Sequence, residues 1–508
     1  MRSVIRPRAT CLFVLLLAVV GVYRLTLLDR GALAFVDETG YFKSVMVLQA
    51  LGAGDVPGAL AHIATNFARP GATLLQLPVA TLQAIPFAFG VAASNPRSLL
   101  IPAIFNVLIS LATLYFFLST CFVLCGEAAA VLTAGVVYAL LVNSNLYIRH
   151  MLPYDWALCV GACALWLAVT RRRTAGLAAA TGLLTGASVT IYPGYYLLAP
   201  VLGLAIAGQT WSDGPRRAVQ FAAVFAAAVA MVIGATELLC RAGGVSYIGS
   251  ARALSRTIGM GSFDEGWTFL PAYLVQVERL PGVTLLAGTA TALLRVGSGL
   301  RRGELRPMGW LLLPALGGWA WQAASSAQWH SMVLYGRLIH PWMLFMAWAL
   351  GDALAAIDRV ALRATVCAVV VTGSVVSWAP SAGAYYRLAY PSDVLYWLRI
   401  DTTRLPPDRM RCELVPGTSY ASPGPLDRAT RYPYSAASNY LLINFCQALP
   451  TLPRPRTRAE IREGATLLYD GPHWMTFPAY GFEGLLPADR DAIVREGYRV
   501  RAYRLSAP

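Results

Sequence analysis

The chain has 508 residues, of which 57% are hydrophobic and only 13% are charged. A water-soluble domain carries about 25% charged residues, so this composition excludes a soluble globule of such length. The net charge of +15 comes almost wholly from arginines that are scattered among loops. They form no basic domain, so we expect no nucleic-acid partner.

The apolar residues come in blocks of about 20, the length that a helix needs to cross the hydrocarbon core of a bilayer. Twelve blocks follow in chain order: 10–29, 70–92, 98–124, 127–148, 151–170, 174–191, 193–209, 218–240, 271–298, 308–326, 334–352 and 362–380. They predict a polytopic α-helical membrane protein. The first block continues past Arg24 to spanning length, which favours an uncleaved span over a signal peptide.

Arginine-rich loops predict the orientation, because short cytoplasmic loops hold the excess of basic residues. These loops lie at 2–8, 171–173, 216–217, 301–306 and 359–363. Placing all of them in the cytoplasm leaves block 70–92 without room to cross as a simple span. The sequence therefore predicts about eleven spans, in a range of roughly 11 to 13, with an interfacial or re-entrant helix in a first outer loop at 30–97. In the alternative, 70–92 crosses and another block is re-entrant.

Beyond residue 381 the chain becomes rich in Pro, Arg and Asp, and its apolar runs shorten to strand length. Strands are predicted at 440–445, 465–469 and 498–503, and a helix at 488–496. The prediction is a transmembrane domain at 1–380 followed by a small α/β domain at 381–508 on the periplasmic side. Whether Cys412 and Cys446 form a disulfide there is left open.

Charged and polar residues gather at the predicted outer ends of the spans. Asp37 and Glu38 follow the first span, and Asp155 begins the fifth block. Taken alone, Asp37 is also typical of a helix N-cap before 41–51. The remaining members are Tyr41, His62, Arg69, Arg149, His150, Tyr335, Arg337 and His340. Ionisable groups are costly within a membrane, so their convergence predicts a functional site.

These residue types suit one reaction class. A carboxylate can act as general base towards an acceptor hydroxyl or amine, and arginines bind and neutralise a phosphate leaving group. A lipid-linked phosphosugar at the membrane surface would meet both.

Carboxylates are also ligands for divalent cations, so the presence of a divalent metal ion is left open, and no other cofactor is predicted. His62 is either an interfacial residue or part of the acceptor site. Asp264 and Glu265 either lie in a solvated loop or belong to the polar residues of this face.

Four short motifs in chain order resemble one family. They are Asp37-Glu38-Thr39-Gly40-Tyr41, Phe67-Ala68-Arg69-Pro70, the segment Tyr147 to Asp155, and the segment Tyr335 to Pro341. With the outer C-terminal domain, they resemble the GT-C fold membrane glycosyltransferases that use polyprenyl-phosphate sugars. Protein O-mannosyltransferases and the lipid A aminoarabinose transferase belong to that family. Gly71 departs from the pattern, and the absence of a Trp-Trp-Asp motif argues against the oligosaccharyltransferase branch.

The resemblance implies an inverting hexosyl- or pentosyltransferase of the bacterial inner membrane. It would move a sugar from a polyprenyl-phosphate donor to a lipid, glycan or protein acceptor on the periplasmic face, in contact with membrane lipid. By the same resemblance, Asp37 is the catalytic base, Glu38 a supporting acid, and Asp155 orients the acceptor or a metal. Arg69, Arg149 and Arg337 hold the donor phosphate, while Tyr41, His62, His150, Tyr335 and His340 line the substrate site.

Two other functions are alternatives to the glycosyltransferase. A lipid or glycan transporter or flippase should show inverted repeats and helices broken at mid-membrane, and the chain has no such self-similarity. An O-antigen-ligase-like enzyme would carry its key Arg and His in a large late loop, without an early acidic pair. The position of the acidic pair favours the GT-C type.

Overall fold

The computed structural model describes residues 7–28, 44–64, 72–91, 96–171, 174–259, 265–304, 306–386, 434–435, 440–445, 466–472, 477–483 and 499–504, with isolated positions at 487, 490, 491 and 495. The predicted residues Asp37, Glu38, Tyr41 and Arg69 lie outside these ranges, as do Cys412 and Cys446. Their roles therefore stay predictions.

The described chain is helical from residue 7 to residue 386. Its helices are α1 (Pro7–Leu25), α2 (Ser44–Gly52), α3 (Val56–Ala64), α4 (Thr73–Ala88), α5 (Leu100–Cys125), α6 (Ala128–Leu140), α7 (Val142–Leu146), α8 (Tyr154–Thr170), α9 (Ala175–Ile191), α10 (Leu198–Thr210), α11 (Pro215–Ala242), α12 (Tyr247–Gly259), α13 (Phe269–Tyr273), α14 (Leu280–Arg301), α15 (Gly309–Ala327), α16 (His340–Ala355) and α17 (Val360–Tyr386). Each of the twelve apolar blocks coincides with a helix or with consecutive helices.

Five helical stretches of the described residues are long and apolar enough to cross a membrane. They are Leu100–Cys125, Pro215–Ala242, Leu280–Arg301, Gly336–Ala355 and Val360–Ala384. Shorter apolar helices accompany them, among them Thr73–Ala88 in the block predicted to be re-entrant. The prediction of an α-helical membrane protein is thus supported. The number of about eleven spans and the re-entrant helix stay predictions.

Helix ends are set by local sequence signals. Gly126 follows α5 with a φ of 75°, a left-handed conformation that glycine adopts without steric cost, and its N–H bonds to Phe122 O at 2.8 Å. Thr174 caps α9 by accepting a hydrogen bond from the Leu177 N–H at 3.1 Å. Such caps allow short connections, so consecutive helices return along one another.

Helix α16 forms the centre of the bundle. Every residue from His340 to Gly351 is buried, which is the pattern of a helix enclosed on all sides. It packs against α5, α6 and α14. The Trp348 indole stacks on Phe117 of α5 with ring centroids 5.9 Å apart and donates a hydrogen bond to the Phe117 carbonyl at 3.1 Å. The first turn of α16 therefore has a fixed position.

Small residues let α9 and α11 approach closely. A Cβ added at Gly182 would lie 2.4 Å from Phe225 O and 2.8 Å from Ala228 Cβ, which is closer than atoms can sit. Close approach of backbones at small residues is a usual way for helices to associate in membranes. The contact therefore depends on a glycine at this position.

We expect Gly182→Ala to lower the midpoint of thermal unfolding in detergent, because overpacking a tight contact costs about 1–3 kcal/mol. Gly234 of α11 provides the matched control, since an added Cβ there would meet nothing within 4 Å. Gly234→Ala should be neutral or slightly stabilising, as alanine favours a helix over glycine by roughly 0.5–1 kcal/mol. Equal midpoints for the two variants would contradict the packing.

Ion pairs at one end of the bundle join residues that were predicted to lie on the cytoplasmic side. Arg363 pairs with Glu127 at 3.0 Å, and Arg295 pairs with Asp352 at 2.6 Å. With a rise of about 1.5 Å per residue, Asp352 is ~18 Å along α16 from His340. The two ends of the bundle are thus chemically distinct, while the compartment that each end faces stays a prediction.

The described C-terminal residues contain an antiparallel sheet of four strands, β1 (Tyr434–Ser435), β2 (Tyr440–Phe445), β3 (Thr466–Pro472) and β4 (Arg499–Arg504). Their order in the sheet is β1-β2-β4-β3. The pairing of β2 with β4 runs from Tyr440 opposite Arg504 to Phe445 opposite Arg499. The three strands predicted from the sequence are therefore present. That 381–508 forms a separate domain stays a prediction.

Candidate active site

A buried polar cluster lies at the end of the bundle opposite to these ion pairs. Asn143 of α7 joins three segments there: its side-chain amide donates to Gly336 O at 2.9 Å and to the Tyr273 hydroxyl at 3.1 Å. Buried polar groups stabilise a fold only when they have partners. Asn143 thus fixes the loop before α16 and the segment before α14 against α7.

Glu278 stabilises the cluster by accepting hydrogen bonds at the start of α7. Its carboxylate, which is 3% exposed, accepts hydrogen bonds from the N–H groups of Val142 at 2.6 Å and Asn143 at 2.8 Å. A carboxylate at the start of a helix satisfies donors that have no partner within the helix. A π-helical turn at Leu274–Glu278, followed by Arg279 with a φ of 56°, brings the carboxylate there.

We expect Glu278→Gln to destabilise the protein by about 1–3 kcal/mol, because an amide can accept only one of these two buried hydrogen bonds. The same change at the exposed Glu304 is the control and should leave the unfolding midpoint unchanged. Thermal unfolding of both variants in detergent measures the difference. A midpoint for Glu278→Gln equal to that of the parent would contradict a capping role.

Arg24, in the last turn of α1, is 1% exposed, and its hydrogen-bond partners among the described residues are neutral. Its Nε donates to Asn145 Oδ1 at 3.1 Å, and its Nη2 donates to Ser144 O at 3.3 Å and to Ser144 Oγ at 3.4 Å. Sequence reasoning treated Arg24 as an interruption of the first span. The signal that could have identified it is an ionisable residue within an apolar span.

Asp155 lies in the first turn of α8 and is 6% exposed. The start of a helix favours a negative charge. The neighbour of Asp155, Tyr154, contacts the ring of Tyr147, with centroids 4.8 Å apart. The structure thus places the predicted Asp155 next to the segment 144–147, to which Arg24 bonds.

His340 begins α16 and is 1% exposed. Its Nδ1 lies 3.3 Å from the Tyr195 hydroxyl. Tyr195, Tyr192 and Tyr154 follow one another edge to face, with centroids 4.9 and 4.7 Å apart. The Tyr147 ring lies 4.8 Å from that of Tyr154, the neighbour of Asp155, and 6.4 Å from that of His340. The ends of α8 and α16 therefore meet at the segment 144–147, to which Arg24 of α1 also bonds.

Arg337 is held in the same cluster. Its guanidinium lies 4.4 Å from the centroid of the Tyr335 ring and 5.5 Å from that of Tyr154. It also forms an ion pair with Glu483 of the C-terminal region at 3.4 Å. The predicted Tyr335 and Arg337 are thus brought together, and the C-terminal region supplies a carboxylate that sequence reasoning missed.

The loop before Asp155 is fixed by Asn106 of α5. The Asn106 amide donates to Ile148 O at 3.2 Å and to His150 O at 2.9 Å, and its carbonyl accepts from Trp156 Nε1 at 2.6 Å. Arg149 in this loop is 5% exposed, and His150 Nε2 lies 3.3 Å from the Tyr480 hydroxyl. His150 is thus in contact with the C-terminal segment that contains Glu483, and Arg149 is buried in the loop before Asp155.

His62 and Glu265 stand apart from these groups. The helix of His62, α3, packs against α2 and α11, and no described contact joins His62 to the cluster. Its role in an acceptor site stays a prediction. The alternative that Glu265 is in a solvated loop is wrong, because Arg490 Nη1 donates to Glu265 Oε2 at 2.8 Å and the carboxylate is 14% exposed. Distant residues of the chain supply this partner, so local composition did not indicate it.

Among the residues that the structure describes, no group of three or more His, Cys, Asp and Glu side chains is arranged to hold a metal ion. Asp37 and Glu38 lie outside these residues, so the open question of a divalent ion is unchanged.

No protein-family model matches the sequence, and no curated protein matches it. A solved structure with a similar arrangement is the oligosaccharyltransferase of Archaeoglobus fulgidus in complex with Zn and sulfate. The match has 13% sequence identity and a TM-score of 0.49, and it covers 76% of this chain and 55% of that one. The chain therefore spans about half the length of that protein. A likeness at this level assigns neither a family nor an activity.

Proposed function

We propose that the protein is an inverting glycosyltransferase of GT-C type. It moves a sugar from a polyprenyl-phosphate donor to a lipid, glycan or protein acceptor, on the periplasmic face of a bacterial inner membrane. The observation that carries the proposal is that the buried residues Arg24, Asp155 and His340 surround the segment 144–147: Arg24 bonds to Asn145, and the Tyr147 ring contacts Tyr154 and His340. Such buried ionisable groups are costly and point to function.

In the proposed reaction, an acceptor oxygen or nitrogen forms a bond to C1 of the sugar while the bond from C1 to the phosphate oxygen breaks. The acceptor proton passes to the Asp37 carboxylate, with Glu38 beside it as a supporting acid. The electron pair of the broken bond remains on the polyprenyl phosphate, whose charge arginines stabilise. Asp155 orients the acceptor, or a metal ion where one is bound.

The described contacts add one arginine to the predicted phosphate-binding residues. Arg24 is completely buried and its hydrogen-bond acceptors are neutral, so its charge is not cancelled by a direct ion pair with a described residue. A cation in such a position attracts an anionic leaving group strongly, because the medium around it has a low dielectric constant. We therefore add Arg24 to the predicted phosphate-binding residues Arg69, Arg149 and Arg337.

The place of the cluster favours an enzyme over a transporter. Transporter sites lie near the middle of the membrane, at breaks between helix halves. Here Arg24 is in the last turn of α1, whereas Asp155 and His340 are in the first turns of α8 and α16. Groups at helix ends suit a lipid headgroup that reacts at the membrane surface.

Mass spectrometry of the lipid fraction tests the proposal. Cells that lack the gene should accumulate a polyprenyl-phosphate sugar, and its mass would identify the donor. Complementation with the parent gene should remove the accumulated lipid. If no such lipid accumulates, the glycosyltransferase proposal fails and the transporter is favoured.

Complementation with Asp37→Asn should leave the accumulated lipid in place, because an amide cannot take the acceptor proton. Protein levels in the membrane fraction must equal those of the parent. A variant that clears the lipid as well as the parent does would exclude Asp37 as the base.

A further inference from the structure

Residues 477–483, here called the cap, cover the polar cluster from the C-terminal side. Phe482 of the cap packs edge-on against Phe269 and Tyr273, with ring centroids 5.4 and 5.2 Å apart. Its carbonyl accepts a hydrogen bond from the Gly336 N–H at 2.9 Å. The cap is therefore seated directly on the loop that carries Arg337.

Glu483, the one acid of the cap, extends its carboxylate into the cluster. Oε1 accepts hydrogen bonds from the Tyr147 hydroxyl and, at 2.9 Å, from the Arg337 N–H. Oε2 lies 3.4 Å from Arg337 Nη1, and the side chains of Arg337 and Glu483 are 11% and 3% exposed. A hydroxyl, a backbone N–H and a guanidinium thus surround one oxyanion.

These three donors recognise an oxyanion and do not require a carboxylate. A guanidinium binds phosphate as well as carboxylate, and backbone N–H groups do the same. The rings of Tyr335 and Tyr154 fix the guanidinium in place. The site is therefore preformed for a phosphate oxygen, and a chain carboxylate occupies it.

A second contact would keep the C-terminal region attached if the cap left this site. Arg490 donates to Glu265 at 2.8 Å. The pair is outside the oxyanion site and does not depend on Glu483. Release of the carboxylate alone would therefore open the cluster without detaching the region.

We propose that Glu483 is an internal substitute for the phosphate group of a prenyl-linked substrate. The cap closes the cluster until the lipid phosphate displaces the carboxylate from Tyr147 and Arg337. This inference rests on the proposed function, since the phosphate is that of the polyprenyl donor or of the polyprenyl phosphate released by the reaction. Because the ligand binds only the open form, it shifts the population towards that form.

Hydrogen–deuterium exchange of the full-length protein in detergent tests the displacement. The probe is a short-chain prenyl phosphate, and the uncharged prenyl alcohol of the same length is its control. The phosphate should raise the exchange of backbone N–H groups at 477–483, whereas the alcohol should not. Unchanged exchange with the phosphate, or the same rise with the alcohol, would overturn the proposal.

Glu483→Gln should bind the prenyl phosphate about ten-fold more tightly than the parent, which is the gain expected if the cap is closed nine-tenths of the time. Glu127→Gln makes the same change in the Arg363 pair at the opposite end and should bind like the parent. Equal or weaker binding by Glu483→Gln would overturn the proposal that the Glu483 carboxylate occupies the phosphate site.

These assays contain no sugar, so their result is separate from that of the proposed function. Tighter binding by Glu483→Gln without any sugar transfer by the parent would refute the glycosyltransferase and leave the anion site. Sugar transfer by the parent with unchanged exchange at 477–483 would refute the cap alone.

Discussion

Asp155→Asn is expected to lower the rate of sugar transfer by about a hundred-fold, the effect of misplacing a substrate by about 1 Å. The carboxylate is 6% exposed and lies in the first turn of α8. Burying a charged group is costly. If residue 155 served only to stabilise the fold, a neutral side chain would do so at a lower cost. The amide keeps the shape and removes the charge.

Asp352→Asn is the matched control. Asp352 pairs with Arg295 at 2.6 Å and is also partly buried, but it lies at the opposite end of α16. This variant should retain transfer within a few-fold of the parent. The measurement is the initial rate of transfer by purified, folded protein with a lipid extract that contains the donor. Equal losses in the two variants would show that only the fold responds to the removal of a buried charge.

Arg24→Gln is expected to reduce both transfer and stability. Arg24 is 1% exposed, and it donates to Asn145 Oδ1 at 3.1 Å and to Ser144 O at 3.3 Å. The change removes these donors, and a buried acceptor left without a partner costs about 1–3 kcal/mol. Arg24→Lys keeps the charge but lacks the planar fork that reaches Asn145 and Ser144, so it should recover stability only in part.

A double-mutant cycle identifies the cause of the Arg24 effect. The pair Arg24→Gln with Asp155→Asn should be more stable than the sum of the single changes predicts, by at least about 0.5 kcal/mol. The exposed pair of Arg217 and Asp213, at 3.7 Å, is the control and should show a coupling near zero. Strict additivity at Arg24 and Asp155 would contradict their electrostatic link.

Apolar blocks and strand-length runs predicted the elements well, because both signals are local. Helices occupy each of the twelve blocks, and β2 begins and ends at the predicted residues 440 and 445. The gathering of polar residues at one end of the bundle was also predictable in part. Asp155, His150, Arg337 and His340 were expected on one face from arginine counts alone, and the structure brings them into one cluster.

Three charged members of the cluster were missed, each for a physical reason. Arg24 and Glu278 lie within apolar blocks, where hydropathy averages over a few charged residues. Glu483 meets Arg337 across 146 residues, a tertiary contact without a local pattern. The acidic pair that led to the function, Asp37 and Glu38, lies outside the described residues and stays a prediction.

The most direct test of sugar transfer is the fate of the donor lipid in a reconstituted reaction. Purified protein is mixed with a lipid extract that contains polyprenyl-phosphate sugars, and the lipids are followed by mass spectrometry. We expect the parent to convert one such sugar lipid to free polyprenyl phosphate, and Asp37→Asn and Asp155→Asn to leave it intact. An intact donor with the folded parent protein, or equal conversion by all three proteins, would contradict the assignment of a glycosyltransferase at this site.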